Sequence, residues 1–133
     1  MPKPPLPDDI SEFLAKPNPA VMATIGPGGP VSVATWYIWE DGRILINLDE
    51  SRKRVEHLRA DPRVSLTALA ADWYTHVSVQ GRVVEIVDDE DLADIDRLSR
   101  HYLGHAYGVR HRRRVSAWIE VDRWHGWGKF AER

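Results

Sequence analysis

Apolar residues recur along this chain in two rhythms, and the changes of rhythm mark its elements. The first seven or eight residues, rich in proline, belong to neither, so residues 1–8 are read as a flexible lead-in and 9–133 as one domain. Asp9 followed three residues later by Glu12 resembles a capping box, with Ile10, Phe13 and Leu14 as the stripe of a short helix that Pro17 ends. Period two then takes over. Ala20 to Ile25 reads as a strand, Gly26-Pro27-Gly28-Gly29-Pro30 as a turn, and Val31 to Trp39 as a second strand. Asp41-Gly42 is a favoured two-residue hairpin turn, and Arg43 to Leu48 is the returning strand.

A short basic helix follows from Ser51, ended by Pro62. Arg63 to Ala70 and Tyr74 to Val87 are two further strands, the longer one carrying Gly81 where a barrel strand bends or bulges. Asp88 to Asp91 place negative charge at a helix start, and Leu92, Ile95, Leu98, Tyr102 and Leu103 continue at helical spacing until Gly104 and Gly108. Val115 to Val121 is the last strand, followed by a tail from Arg123 to Phe130. The order predicts a mainly β protein: an antiparallel barrel of about six strands with peripheral helices, not a βαβ fold.

Composition narrows the partners. A net charge of -2 in 133 residues argues against a polyanion-binding protein, so no nucleic acid is expected. Without cysteine there is neither a disulfide nor thiolate chemistry, which favours the cytoplasm. No apolar run reaches signal-peptide or membrane-spanning length, so no membrane association is expected.

The segment SRKRVEHLRADPRV, residues 51–64, places Arg52, Lys53 and Arg54 at a helix start. A helix N-terminus carries partial positive charge, so each cation there is unfavourable by a few tenths of a kcal/mol. Either the segment is a solvated charged face, with Arg52 and Glu56 paired at i,i+4, or it awaits an anion such as a phosphate. Six tryptophans in 133 residues are the second signal, because planar ligands and subunit interfaces both favour them. Trp36 and Trp39 differ in strand parity, so one of them needs an outer cover. His101 and His105 have zinc-compatible spacing but lack a neighbouring glutamate and an evident third ligand, so no metal is assigned. Neither a phosphate loop at Gly28-Gly29 nor a Gly-x-Ser-x-Gly elbow is present. The run Arg110 to Arg114 reads as solvated surface or a second anion contact.

The Gly-rich first hairpin, Ala34-Thr35-Trp36-Tyr37, the segment Leu58-Arg59-Ala60-Asp61-Pro62-Arg63-Val64-Ser65-Leu66, and Val79-Gln80-Gly81-Arg82-Val83 together resemble the pyridoxamine 5′-phosphate oxidase-like split β-barrel family. Within it the chain is most similar to the deazaflavin (coenzyme F420)-dependent reductases of actinobacteria. The resemblance implies a homodimer with cofactor sites at the subunit interface, and hydride transfer from reduced deazaflavin to a small unsaturated or quinone-like acceptor. It places the cofactor phosphate on Arg52, Lys53 and Arg54, although the family's Lys-x-x-Asn-Leu stands here as Arg54-Val55-Glu56-His57-Leu58. Thr35, Trp36 and Tyr37, with Asn47 beside them, would line the ring pocket, joined by Tyr74 and His76. Trp124 and Lys129 of the tail would reach the partner subunit's site. The cofactor supplies the hydride, so no side chain is an obligatory catalyst, and Tyr37, His76 or Tyr74 are the candidate proton donors. The alternatives are an FMN-binding oxidase or flavin reductase of the same fold, and a non-catalytic cofactor-binding or storage protein.

Overall fold

In the computed structural model, which describes residues 1–131, seven strands form one antiparallel sheet. The elements are α1 (Asp8–Leu14), β1 (Ala20–Gly26), β2 (Gly29–Thr35), β3 (Ile38–Glu40), β4 (Arg43–Asp49), α2 (Lys53–Ala60), β5 (Arg63–Leu69), β6 (His76–Asp88), α3 (Ala93–Leu103) and β7 (Arg114–Trp127). Short 3₁₀ turns cover Glu90–Leu92 and Gly128–Phe130. The strand order is β2-β1-β5-β6-β7-β4-β3.

The seventh strand arises because the run from Val31 to Trp39 is not continuous. β2 pairs only with β1 and β3 only with β4, so these two strands are the opposite edges of the sheet. Trp36 and Tyr37 alone connect them. A link of two residues is too short to span an open sheet, so it draws the edges together and the sheet curls into a barrel. The break removes the single-strand premise of the parity argument but not its conclusion: Trp36 is half-buried outside the barrel and Trp39 packs partly against the core, while Tyr37 is fully buried.

Inward side chains fill the barrel. Met22, Tyr37, Ile44, Ile46, Leu66, Val77, Val79, Ala117 and Ile119 are each at most 1% exposed, and Ile10, Phe13 and Leu14 of α1 close one end. A planar cofactor therefore has no room inside and must bind outside. β6 bends where it must: the register slips between Gln80 and Gly81, and a Cβ on Gly81 would lie 2.1 Å from the Glu120 carbonyl oxygen. At the tight β3–β4 turn, Asp41 and Gly42 take φ of 52° and 75°, the left-handed pair this hairpin requires.

Several boundaries differ from the sequence reading: β6 starts at His76 rather than Tyr74 and α2 at Lys53 rather than Ser51, and three further differences bear on the site. α1 starts after Pro7 with no side-chain cap, and Asp9 instead accepts the Ile10 N–H at 3.0 Å. α3 begins only at Ala93, after left-handed Asp91 and Leu92; Asp89 reaches across that kink to accept the N–H groups of Asp94 and Ile95 at 2.8 and 2.9 Å. β7 runs on to Trp127, because the tail continues the ladder with β6 as far as His76 opposite Trp127. The proline-rich start is tied to that extension, Pro2 accepting the Trp124 N–H at 3.0 Å. No helix among the described residues is long and apolar enough to cross a membrane.

Candidate functional site

α3 lies outside the barrel, held by Ser116 of β7 donating to Asp94 at 2.7 Å and by the Arg97 ion pair with Glu40 of β3. Between this helix and the β2–β3 link is a cleft of about 510 Å³, lined by Thr35, Trp36, Asn47, Tyr102, Tyr107 and Arg114 over an apolar floor that includes Ile95 and Leu98. Its walls are aromatic. The Trp36 and Tyr102 rings are stacked with centroids 5.5 Å apart and planes 14° apart, and Tyr107 stands edge-on to Trp36 at 6.3 Å. Tyr102 anchors this wall by donating its hydroxyl to the Asn18 carbonyl at 2.7 Å and accepting the Tyr37 N–H at 3.3 Å. Burial pushes its phenol up to about 12, so it stays protonated at neutral pH.

Asn47 is fully engaged at one edge of the cleft. Its amide nitrogen donates to Asp89 at 3.0 Å and to Ser116 at 3.1 Å, while its oxygen accepts from Arg114 Nε at 2.7 Å. It therefore joins β4, β7 and the cap of α3, and fixes the arginine.

The basic segment stands beside this edge. β4 ends at Asp49, paired in register with Arg114, and α2 begins at Lys53. Asp49 Oδ1 accepts the N–H and hydroxyl of Ser51 at 2.9 and 2.7 Å, shaping the turn between them. Arg52, Lys53 and Arg54 have no ion pair among the described residues, and the Arg52–Glu56 pairing weighed from the sequence does not form. Burial, then the charges of Arg52 and Arg114, lower the pKa of Arg54. Such a cluster of cations is unfavourable as it stands and becomes favourable around an anion. Its donors fit a phosphate. His57, which replaces the expected asparagine, instead packs toward β1: a Cβ on Gly26 would lie 3.1 Å from its Cε1, and its Nδ1 is buried without a partner among the described residues.

The remaining expected site residues lie elsewhere in this chain. Tyr37 is in the core, its hydroxyl donating to Leu14 at 2.8 Å and accepting from Asn18 at 3.0 Å; burial raises its pKa, so it neither lines the cleft nor serves as a proton donor. Trp124 is buried at 4% exposure because the tail is strand rather than free arm. Tyr74 is 58% exposed, beside Trp73 at 73%. His76 Nδ1 lies 2.9 Å from the Tyr74 carbonyl, and Lys129 lines a different recess with Phe13, Lys16 and Thr75. None of these reaches the Trp36 cleft within one chain.

Tyr102, Tyr107 and Arg114 were missed from the sequence. Tyr102 was counted only as a helix-stripe residue, and Arg114 was one cation in a run of four arginines. α3 ends at Gly104, φ 84°, so His105 lies past the helix and does not share a face with His101; among the described residues no group of three metal-binding side chains occurs.

The sequence profile named for pyridoxamine 5′-phosphate oxidase matches residues 6–128. No curated protein matches the chain. Among solved structures, one described as an F420 reductase superposes with a TM-score of 0.81 at 24% identity, over 90% of this chain and 98% of the other. A conserved hypothetical protein from Mycobacterium tuberculosis gives 0.73 at 27% identity, over 94% and 86%. An FAD-binding protein from Mesorhizobium loti gives 0.65 at 22% identity, over 93% and 96%.

Proposed function

This chain belongs to the pyridoxamine 5′-phosphate oxidase family, and from that premise we propose that it is a deazaflavin (coenzyme F420)-dependent oxidoreductase acting on a small unsaturated or quinone-like acceptor. The observation that carries the proposal is the cation group Arg52, Lys53 and Arg54, without an ion pair among the described residues, beside the Arg114 edge of the aromatic cleft of Trp36, Tyr102 and Tyr107. A ligand with a flat ring and an anionic tail satisfies both at once. When bound, the reduced deazaflavin supplies the hydride. The chain's own part is to hold the tail through Arg52, Lys53 and Arg54, to stack the ring against Trp36, and to keep water from the apolar floor at Ile95 and Leu98. The F420 reductase among the neighbours supports this choice of cofactor, and the FAD-binding neighbour supports a flavin such as FMN as the second reading.

The proposal includes a homodimer. The outer sheet exposes Val21 at 38% and Val31 at 41%, and Trp73, Tyr74 and Trp127 are exposed at 73, 58 and 42%. A second copy covering them would carry Tyr74, His76 and Lys129 toward its partner's cleft, where one of the first two would be placed to donate a proton.

Absorbance and fluorescence titration with coenzyme F420 and FMN side by side tests the cofactor. Tight binding of F420 with none of FMN supports the proposal, the reverse selects the flavin, and tight binding with no turnover across an acceptor screen points to a carrier. Light scattering at micromolar concentration tests the dimer, and a monomer there would remove the interfacial site.

A further inference from the structure

Arg114 closes the cleft on the side of α2, and its guanidinium is fixed without being neutralised. Nε donates to Asn47 at 2.7 Å, and the group lies 5.1 Å from the centroid of the Tyr107 ring. These two contacts set the plane of the fork. Its two terminal nitrogens have no hydrogen bond or ion pair among the described residues, although Arg112 and Arg113 immediately before it are both paired with carboxylates. The ladder places Arg114 opposite Asp49, only four residues before Lys53. The start of β7 and the start of α2 therefore converge, and both bring an arginine without a counter-ion.

We infer that Arg114 and Arg54 form a two-arginine clamp for the phosphate of the ring-bearing ligand, with Arg114 the residue at which the ring cleft meets the anion site. The inference rests on the functional reading above and adds to it a residue from a different strand. The charge of Arg114 acts unfavourably on Arg54, as that of Arg52 does, and burial of Arg54 limits how far solvent relieves this. A phosphate between them reverses the sign. Because Asn47 takes only Nε, the free edge of Arg114 presents two parallel donors, the geometry that suits a phosphate oxygen pair and that lysine lacks. A pre-oriented fork also loses little side-chain freedom on binding.

The test compares ligands with and without phosphate: FMN against riboflavin, which differ by the phosphate alone, and coenzyme F420 against its ring-ribityl fragment, which lacks the whole anionic tail. They are titrated into the wild-type chain and into Arg114→Gln, Arg114→Lys, Arg54→Gln and the control Arg113→Gln. Loss of charge-assisted contacts at Arg114 or Arg54 is expected to weaken the phosphate-bearing ligand about 10-fold or more while leaving the ring-only ligand within about twofold. Arg114→Lys should recover only part of the loss, and Arg113→Gln should change neither ligand. If Arg114→Gln leaves the preference for phosphate intact while Arg54→Gln removes it, the clamp assignment is wrong and the functional reading stands. If the wild-type chain binds none of the four ligands, the functional reading falls. Thermal melts in millimolar inorganic phosphate then decide the clamp, which is supported by stabilisation of the wild type that Arg114→Gln and Arg54→Gln lose and overturned by equal responses.

Discussion

The chain carries cations in two dense runs, 52–54 and 110–114, and folding treats them in opposite ways. In the second run Arg110 pairs with Asp96 at 2.6 Å, Arg112 with Asp49 at 3.0 Å, and Arg113 with Asp88 and Glu50 at 2.9 and 3.0 Å. These pairs tie the loop before β7 to α3, to the end of β4 and to the end of β6. In the first run no carboxylate among the described residues answers Arg52, Lys53 or Arg54, and Arg54 is half-buried near the charges of Arg52 and Arg114. Among the described residues only Arg114 of the second run shares that condition, and it is the one that lines the cleft. Sequence density of charge thus says little about function, whereas the distribution of counter-ions separates a structural run from one built to meet an anion.

The contrast predicts that the two runs fail differently. Replacing Arg52 and Arg54 together by alanine should cost about 2–4 kcal/mol of binding to a phosphate-bearing cofactor, since charge-assisted contacts are lost. Thermal stability should hold or rise slightly, because mutually repelling cations are removed. Isothermal titration alongside a thermal melt checks both, and equal affinity with a lowered melting temperature would make run 52–54 structural after all. Arg112→Ala and Arg113→Ala should do the converse, lowering the urea midpoint modestly and leaving cofactor affinity unchanged.

Acid sharpens the same distinction. Hydrogen bonds from Ser51, together with Arg112, hold Asp49 down to about 2, and Arg63 does the same for Asp61. Because these values lie below the unfolded carboxylate near 3.9, the stability they contribute is complete above about pH 4 and is lost as pH falls toward 2. Urea midpoints measured across that window should fall, and Asp49→Asn should be less stable at neutral pH with a shallower acid decline. An unchanged slope would mean that Asp49 gains nothing from its partners in the fold.

What was legible in the sequence followed from local chemistry. The Asp41-Gly42 hairpin, the bulge at Gly81 and the stop of α3 at Gly104 each depend on a few neighbouring residues, and each was readable. The break at Trp36-Tyr37 was not, because nothing in the strand-like run from Val31 to Trp39, whose last four residues are all apolar, marks the point where the chain leaves one sheet edge for the other. That hidden break sent Tyr37 inward and left Trp36 outside, so adjacent residues assigned to one pocket took separate roles. The tail failed for a similar reason. Trp124 belongs to a strand defined by its pairing with Val79, a contact no local pattern announces. Arg114 was hidden by its neighbours, since one unpaired arginine in a basic run is visible only when the carboxylates opposite the others are in place.

The finest test of the comparison concerns what orients Arg114, the arginine of the second run without a carboxylate partner among the described residues. Tyr107 lies under the Arg114 guanidinium and edge-on to Trp36, so it couples the charged end of the cleft to its aromatic wall. A partly exposed cation–π contact is worth about 0.5–1 kcal/mol. Tyr107→Leu should therefore weaken a phosphate-bearing ligand about two- to fivefold through a less well oriented fork, with a smaller effect on the phosphate-free ring. Equal losses for both ligands would assign Tyr107 to ring stacking alone and leave Asn47 as the only side chain that aims Arg114. The Asn47 tie predicts the complementary result: Tyr107→Leu should not abolish the preference for phosphate, because the 2.7 Å bond to Nε still holds one edge of the guanidinium.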